Sequence, residues 1–311
     1  MPNTNILNIA APIREALENR RPVVALESTV IAHGLPHPVN IEVARRLETI
    51  VRDAGALPAT IAVLDGVLTV GLSDDELNLF ATSTGVHKLS IRDLPIAVAC
   101  RWNGATTVAT TSWIAEKAGI KVFATGGIGG VHRGGTFDIS ADLPQLSSSR
   151  IVVVCSGAKM VLDLEATREW LETHGVTVVG YCTDVFPAFY SRESGLSVDV
   201  RADTPDAVAK IAQSRWRLDM NGAVVVGVPV PSEAEPPPGP LAEALERALA
   251  DASVKGIHGR EITPFLLSRM AELSGGATLA ANIALLENNA RVAAEVAVAL
   301  SKLLLKSDPT S

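Results

Sequence analysis

The chain has 311 residues, 47% hydrophobic and 20% charged, which supplies apolar material for a sizeable core. Its formal net charge is −7 and no run of Lys or Arg occurs, which argues against a nucleic-acid stripe or an anionic membrane surface as the working face. Any phosphate it binds must therefore be met locally. Cys100, Cys155 and Cys182 are isolated and show no CxxC spacing, the N-terminal stretch lacks a signal-peptide pattern, and no apolar run is long enough to span a bilayer. These features lead to the expectation of a reducing, cytoplasmic compartment and of neither a nucleic-acid nor a membrane partner.

In chain order, "PVVALESTVIA" (22–32), "ATIAVLDGVLTVGL" (59–72), "IKVFATGG" (120–127), "RIVVVCSG" (150–157), "VTVVGYCT" (176–183) and "GAVVVGVPV" (222–230) read as buried strands, because they carry almost no period-2 polarity. Helical patterns alternate with them: "NIEVARRLETIVRDAG", "TTVATTSWIAEKAG" and "LDLEATREWLETHG" each close on Gly. The order predicts a three-layer α/β/α protein around a mostly buried mixed sheet, with residues 1–311 forming a single domain. The prolines of "PSEAEPPPGP" (231–240) predict a loop before the amphipathic helix "LAEALERALADASVKG". A last long helix is expected over 278–306, where Asn282, Asn288 and Asn289 are core groups, solvent-facing groups or ligand contacts. Its apolar character makes it the one visible candidate for a subunit interface.

Chemistry enters where polar residues interrupt these runs. Glu27 follows four apolar residues at a strand end, where open α/β sheets place ligand groups, so it is a candidate general acid or base; a solvent-facing or arginine-paired carboxylate is the alternative. "ATGGIGGVHRGGTFDISADL" offers glycine amides to an anion, His132 and Arg133 as donors, and Asp138 and Asp142 as hard oxygens for a divalent cation or as helix caps. It matches neither the dinucleotide fingerprint nor the P-loop. Thr107 and its hydroxylic neighbours sit where a loop enters a helix, which makes an anion site or an ordinary N-cap. Lys88 is a surface lysine unless it meets the same cavity. Lys159 ends the apolar strand of "RIVVVCSGAK" behind small residues that leave room for a substrate, so it is either a nucleophile for a carbonyl or anomeric carbon or a lysine reaching solvent.

Together, "VALESTVIAHGLPHP", "PATIAVLDGVLTVGL", "NGATTVATT", "GIKVFATGGIGGVHRG", "FDISADL", "VVVCSGAK", "NGAVVVGVP", "ITPFLLSRMAELSGG" and "NIALLENNA" resemble the pseudouridine-5′-phosphate glycosidase family, whose fold is that of indigoidine synthase A. The resemblance implies reversible cleavage of pseudouridine 5′-phosphate to uracil and ribose 5-phosphate by a manganese-dependent homotrimer. It implies Lys159 as nucleophile, Glu27 as proton donor and Asp138 as metal ligand. Lys88, Thr107, Val108, Ser140, Ala141 and Asp142 are implied substrate contacts, with His132 and Asn282 around the phosphate and ribose. Only Gly135 and Thr136 join "GGVHRG" to "FDISADL", a shorter link than the family pattern implies, and the local geometry is expected to differ there. A relative that prefers another C-ribosyl phosphate, or an idle sugar-phosphate binder, would share the pocket; the binder would have no need of both Lys159 and Glu27.

Overall fold

A computed structural model describes residues 6–134, 137–257 and 259–306; the short link at Gly135 and Thr136 lies outside them. Among the described residues the strands are β1 (Leu7–Ile9), β2 (Val23–Glu27), β3 (Leu57–Leu64), β4 (Val67–Val70), β5 (His87–Leu89), β6 (Gly104–Thr106), β7 (Val122–Ala124), β8 (Val152–Cys155), β9 (Thr177–Tyr181), β10 (Val200–Ala202) and β11 (Val224–Gly227). They form one sheet in the order β1-β4-β3-β2-β7-β8-β11-β9-β10, with β6 added to β3 and β5 to β6. All pairs are parallel except β3 with β4 and β3 with β6, which makes the sheet mixed, as expected.

The helices are α1 (Ala11–Glu18), α2 (Val39–Asp53), α3 (Asp74–Thr82), α4 (Leu94–Cys100), α5 (Val108–Ala118), α6 (Asp142–Ser148), α7 (Leu164–Thr173), α8 (Pro205–Arg217), α9 (Pro238–Val254), α10 (Ile262–Leu273) and α11 (Ala277–Lys306). Helix α11 packs on α2, α8 and the central strands β2, β7 and β8, while α5 packs on α6 and on β2, β3 and β4. Helices therefore flank the sheet, and every residue of β8 and β11 is buried, which is why these strands show no alternation in sequence. The glycines expected to close α2, α5 and α7 are Gly55, Gly119 and Gly175, all with positive φ.

Two expectations need correction. The run 59–72 is not one strand but a hairpin: Asp65 and Gly66 both have positive φ and pair Leu64 with Val67, the geometry of a two-residue type I′ turn. The proline segment is not loop throughout, because α9 begins at Pro238; its first turn needs no proline amide, so Pro238 and Pro240 are tolerated there. In α11, Ala281, Leu285, Val292, Val296 and Leu300 are buried in this chain's own core, each Leu or Val contributing about 1.5–3 kcal/mol, while Leu305 is exposed.

Candidate active site

Chain connections diverge at β2 and β7: β2 leads to β3 on one side of the sheet, and β7 leads to β8 on the other. Such a switch point opens a crevice beyond the carboxyl ends of the strands. A cavity of about 750 Å³ lies there, and Glu27, at the end of β2, lines it. Next to it, β6 returns antiparallel to β3, so Thr106 comes level with Ile61, the partner of Glu27. Ser28 Oγ accepts from the Thr106 amide at 2.9 Å and fixes that level. Because β5 pairs with β6 in register, with Lys88 opposite Ala105, Lys88 reaches the same cavity.

Lys159 arrives from the other side. Beyond β7 and β8 the two segments continue to pair: Ser156 donates to the Gly126 carbonyl (2.9 Å), Ile128 to that of Gly157 (3.0 Å), and the Lys159 amide to that of Ile128 (3.2 Å). Gly157 has φ +73°, and a Cβ there would stand 1.8 Å from the Pro187 carbonyl oxygen. The small residues before Lys159 therefore make room for neighbouring backbone and not for a substrate, which corrects the reading of this motif; Ala158 is fully buried. Behind them Asn289 of α11 donates to the Thr125 carbonyl (2.9 Å) and to Ser156 Oγ (3.1 Å), binding the ends of β7 and β8 together.

The Glu27 carboxylate accepts hydrogen bonds from the hydroxyls of Thr29 and Thr125. Burial pushes its pKa above the ordinary carboxylate value, while the charge of Lys159 and the two threonine hydroxyls oppose that rise. Glu27 is thus a buried carboxyl held towards its protonated form, with Lys159 lining the same cavity. His33, also in the lining, is pushed down by burial and by Lys88. Thr29, Thr125 and His33 were not singled out by motif reading, since threonines beside a strand end look the same whether or not the fold aims them at a carboxylate.

Thr107 caps α5, and with Val108 it lines the cavity. The neighbouring hydroxyls are structural: Thr110 Oγ1 donates to the Leu89 carbonyl at 2.7 Å and Thr111 Oγ1 to Thr106 Oγ1 at 2.9 Å. Ser140, Ala141 and Asp142 form the adjoining lining, together with His132. Asp142 accepts from the amides of Ala109 (2.9 Å) and Gly129 (2.8 Å), so it tethers the start of α5 to the glycine loop. The anion met by the Gly129 amide is thus the protein's own carboxylate. A Cβ on Gly129 would stand 2.3 Å from Ser140 Oγ, so close packing requires that glycine. Arg133, read as a ligand donor, instead spends its guanidinium on the carbonyls of Leu162 (3.0 Å) and Met160 (3.1 Å), just beyond Lys159.

Asp138 is exposed and lines the cavity, as does Asn282 of α11. Among the described residues no three of His, Cys, Asp or Glu converge on one point. The exposed carboxylate of Asp138 is a hard oxygen donor of the kind that would hold a divalent cation, and it would leave most of that cation's positions to water.

A carboxyl at the end of β2 and a lysine four residues beyond β8, with β7 between the two strands, line one crevice at the carboxyl ends of the sheet, the arrangement of an α/β enzyme. The family of indigoidine synthase A like proteins matches residues 12–299, and the chain belongs to it. Its relatives include the pseudouridine-5′-phosphate glycosidase of Caldanaerobacter subterraneus subsp. tengcongensis, 50% identical over 299 residues that cover 96% of this chain and 97% of that one. The pseudouridine-5′-phosphate glycosidase of Solibacter usitatus is 52% identical over 296 residues, 94% of this chain and 99% of the other. Among solved structures, the prealnumycin C-glycosynthase AlnA in complex with ribulose 5-phosphate superposes with a TM-score of 0.90 at 42% identity, covering 98% of this chain and all of that chain (100%). An indigoidine synthase A-like protein from Thermotoga maritima gives 0.87 at 41% identity, covering 95% and 96%. Family and fold are those expected from the motifs.

Proposed function

We propose that the chain cleaves the C–C glycosidic bond of pseudouridine 5′-phosphate reversibly, taking up water and giving uracil and ribose 5-phosphate. The observation that carries this reading is that Glu27, at the end of β2, and Lys159, just beyond β8, line one cavity at the carboxyl ends of the strands. The base leaves through carbon, so departure requires a proton on that carbon and an electron sink at C1′. Lys159 Nζ attacks C1′ as the C1′–O4′ bond breaks and O4′ takes a proton. The nitrogen lone pair then expels the base, leaving an imine at C1′, while protonated Glu27 delivers its proton to the uracil carbon. Water hydrolyses the imine, freeing ribose 5-phosphate and Lys159.

Lys88, Thr107, Val108, Ser140, Ala141 and Asp142 contact the substrate, with His132 and Asn282 around its phosphate and ribose. In this reading Asp138 holds a divalent cation, Mn²⁺, which when bound supplies positive charge to the phosphate region. A homotrimer in the cytoplasm completes the proposal; the three cysteines are all free thiols, in keeping with a reducing compartment, and analytical ultracentrifugation reads the assembly. Among the described residues no helix is long and apolar enough to cross a membrane.

The test is uracil release from pseudouridine 5′-phosphate, with and without Mn²⁺, by the parent and by Lys159→Ala. Metal-dependent release that falls by about 1,000-fold or more in the variant is expected. A parent inert under both conditions overturns the substrate; a fully active Lys159→Ala overturns the imine.

A further inference from the structure

The cavity lining combines two kinds of chemistry. Lys88 on β5, Thr107 at the start of α5 and Ser140 before α6 bring a cation and hydroxyls. Thr263, Pro264 and Leu267 of α10 and Leu286 of α11 bring mostly apolar surface, with Asn282 among them. Glu27 and Lys159 line the same space. A substrate that is phosphate at one end and a flat ring at the other suits such a lining, with the phosphate towards Lys88 and the ring against the apolar side chains.

Thr263 and Leu267 are four residues apart and Pro264 and Leu267 three, so the three lie along one side of α10. They are half-buried and line the cavity, whereas Leu266 and Met270, at the adjoining edge of that side, are fully packed into the core. The anchoring of α10 and the surface it shows to a ligand are thus carried by different residues. Leu267 is the longest apolar side chain on the cavity face.

We infer that Leu267 sets the size of the aglycone. Shortening it shifts the enzyme, in the synthetic direction, from uracil towards bicyclic electron-rich arenes such as 1-naphthol. The inference rests on the function proposed above. In that direction the aldehyde of ribose 5-phosphate condenses with Lys159 and loses water, and the ring carbon beside the arene hydroxyl attacks C1 to form the C–C bond. The proton displaced from that carbon passes to Glu27. O4 then closes on C1, expels the Lys159 amine and leaves its proton to it, so one arene and one sugar phosphate give one C-riboside and one water.

The experiment compares the parent, Leu267→Ala and Leu267→Met. It measures kcat/KM for 1-naphthol and for uracil at saturating ribose 5-phosphate with Mn²⁺, the KM for ribose 5-phosphate, and borohydride trapping of the sugar on Lys159. Leu267→Ala is expected to raise the naphthol-to-uracil ratio about 10-fold, with an unchanged KM and equal trapping, and Leu267→Met to behave as the parent. An unchanged ratio, or a rise in KM for the sugar phosphate, overturns the assignment. If the parent traps ribose 5-phosphate but never joins it to uracil, the proposed substrate is wrong and Leu267 loses its role with it. If uracil is joined and the ratio does not move, only Leu267 falls.

Discussion

Glu27 is subject to opposing influences: burial favours its protonated form, while Lys159, Thr125 and Thr29 favour the carboxylate. Removing the Thr125 hydroxyl leaves burial less opposed, so the pKa of Glu27 rises further. A donor to the uracil carbon must hold its proton, so cleavage declines as pH climbs through that pKa. Thr125→Val therefore moves the alkaline limb of the kcat profile to higher pH. A hydrogen bond to a charged group worth about 1.5 kcal/mol corresponds to roughly one pH unit. A limb that stays in place would show that Glu27 is not the titrating donor. The sequence revealed Glu27 and Lys159 because each breaks an apolar run, and a charge at a strand end is conspicuous. Thr125 was not legible, since its significance depends on β7 lying beside β2, a contact between residues 98 apart in the chain.

At the level of elements, the turn after β8 decides where Lys159 stands. Gly157 and Gly119 both adopt left-handed backbone, with φ +73° and +89°, yet a Cβ on Gly119 meets nothing within 4 Å while one on Gly157 strikes the Pro187 carbonyl. Gly119→Ala should cost about 1–2 kcal/mol in urea unfolding, the price of the dihedral alone. Gly157→Ala should cost several kcal/mol or displace the 156–159 segment, with activity lost alongside; equal costs for the two variants would contradict this account. Strand and helix patterns were legible because burial on both sheet faces erases period-2 polarity. The Asp65-Gly66 hairpin was overlooked because the apolar run continues through it, although the dipeptide is itself a turn signal. Arg133 illustrates the opposite error: an arginine beside a glycine loop suggests an anion, but here the backbone carbonyls after Lys159 take its donors.

At the scale of the molecule, the cavity draws its lining from segments spread along the chain, from Glu27 on β2 to Leu286 on α11. Occupation of the cavity should therefore stabilise the fold as a unit. Ribose 5-phosphate at about 100 times its Kd is expected to add about 2.7 kcal/mol, read as a rise in the midpoint of one cooperative thermal transition. Two transitions, only one of them sensitive to the sugar phosphate, would mean that the chain unfolds in separate parts. Layer architecture was legible at this scale because it follows from element order. The part of α10 in the lining was not, because nothing in the pattern of "ITPFLLSRMAEL" states which residues meet the core and which meet a ligand.

The Asn289 strap carries a temporal meaning as well. Chains generally begin folding from their N-terminal side during synthesis. Glu27 and Lys159 emerge from the ribosome long before α11, yet the amide that holds the tips of β7 and β8 together belongs to that helix, the last described element in chain order. A translation intermediate that stops short of α11 thus holds Glu27 and Lys159 without the clasp between the segments that follow β7 and β8. On the proposed mechanism, competence is a late event in the life of each chain, and a prematurely terminated product would bear both side chains without their alignment.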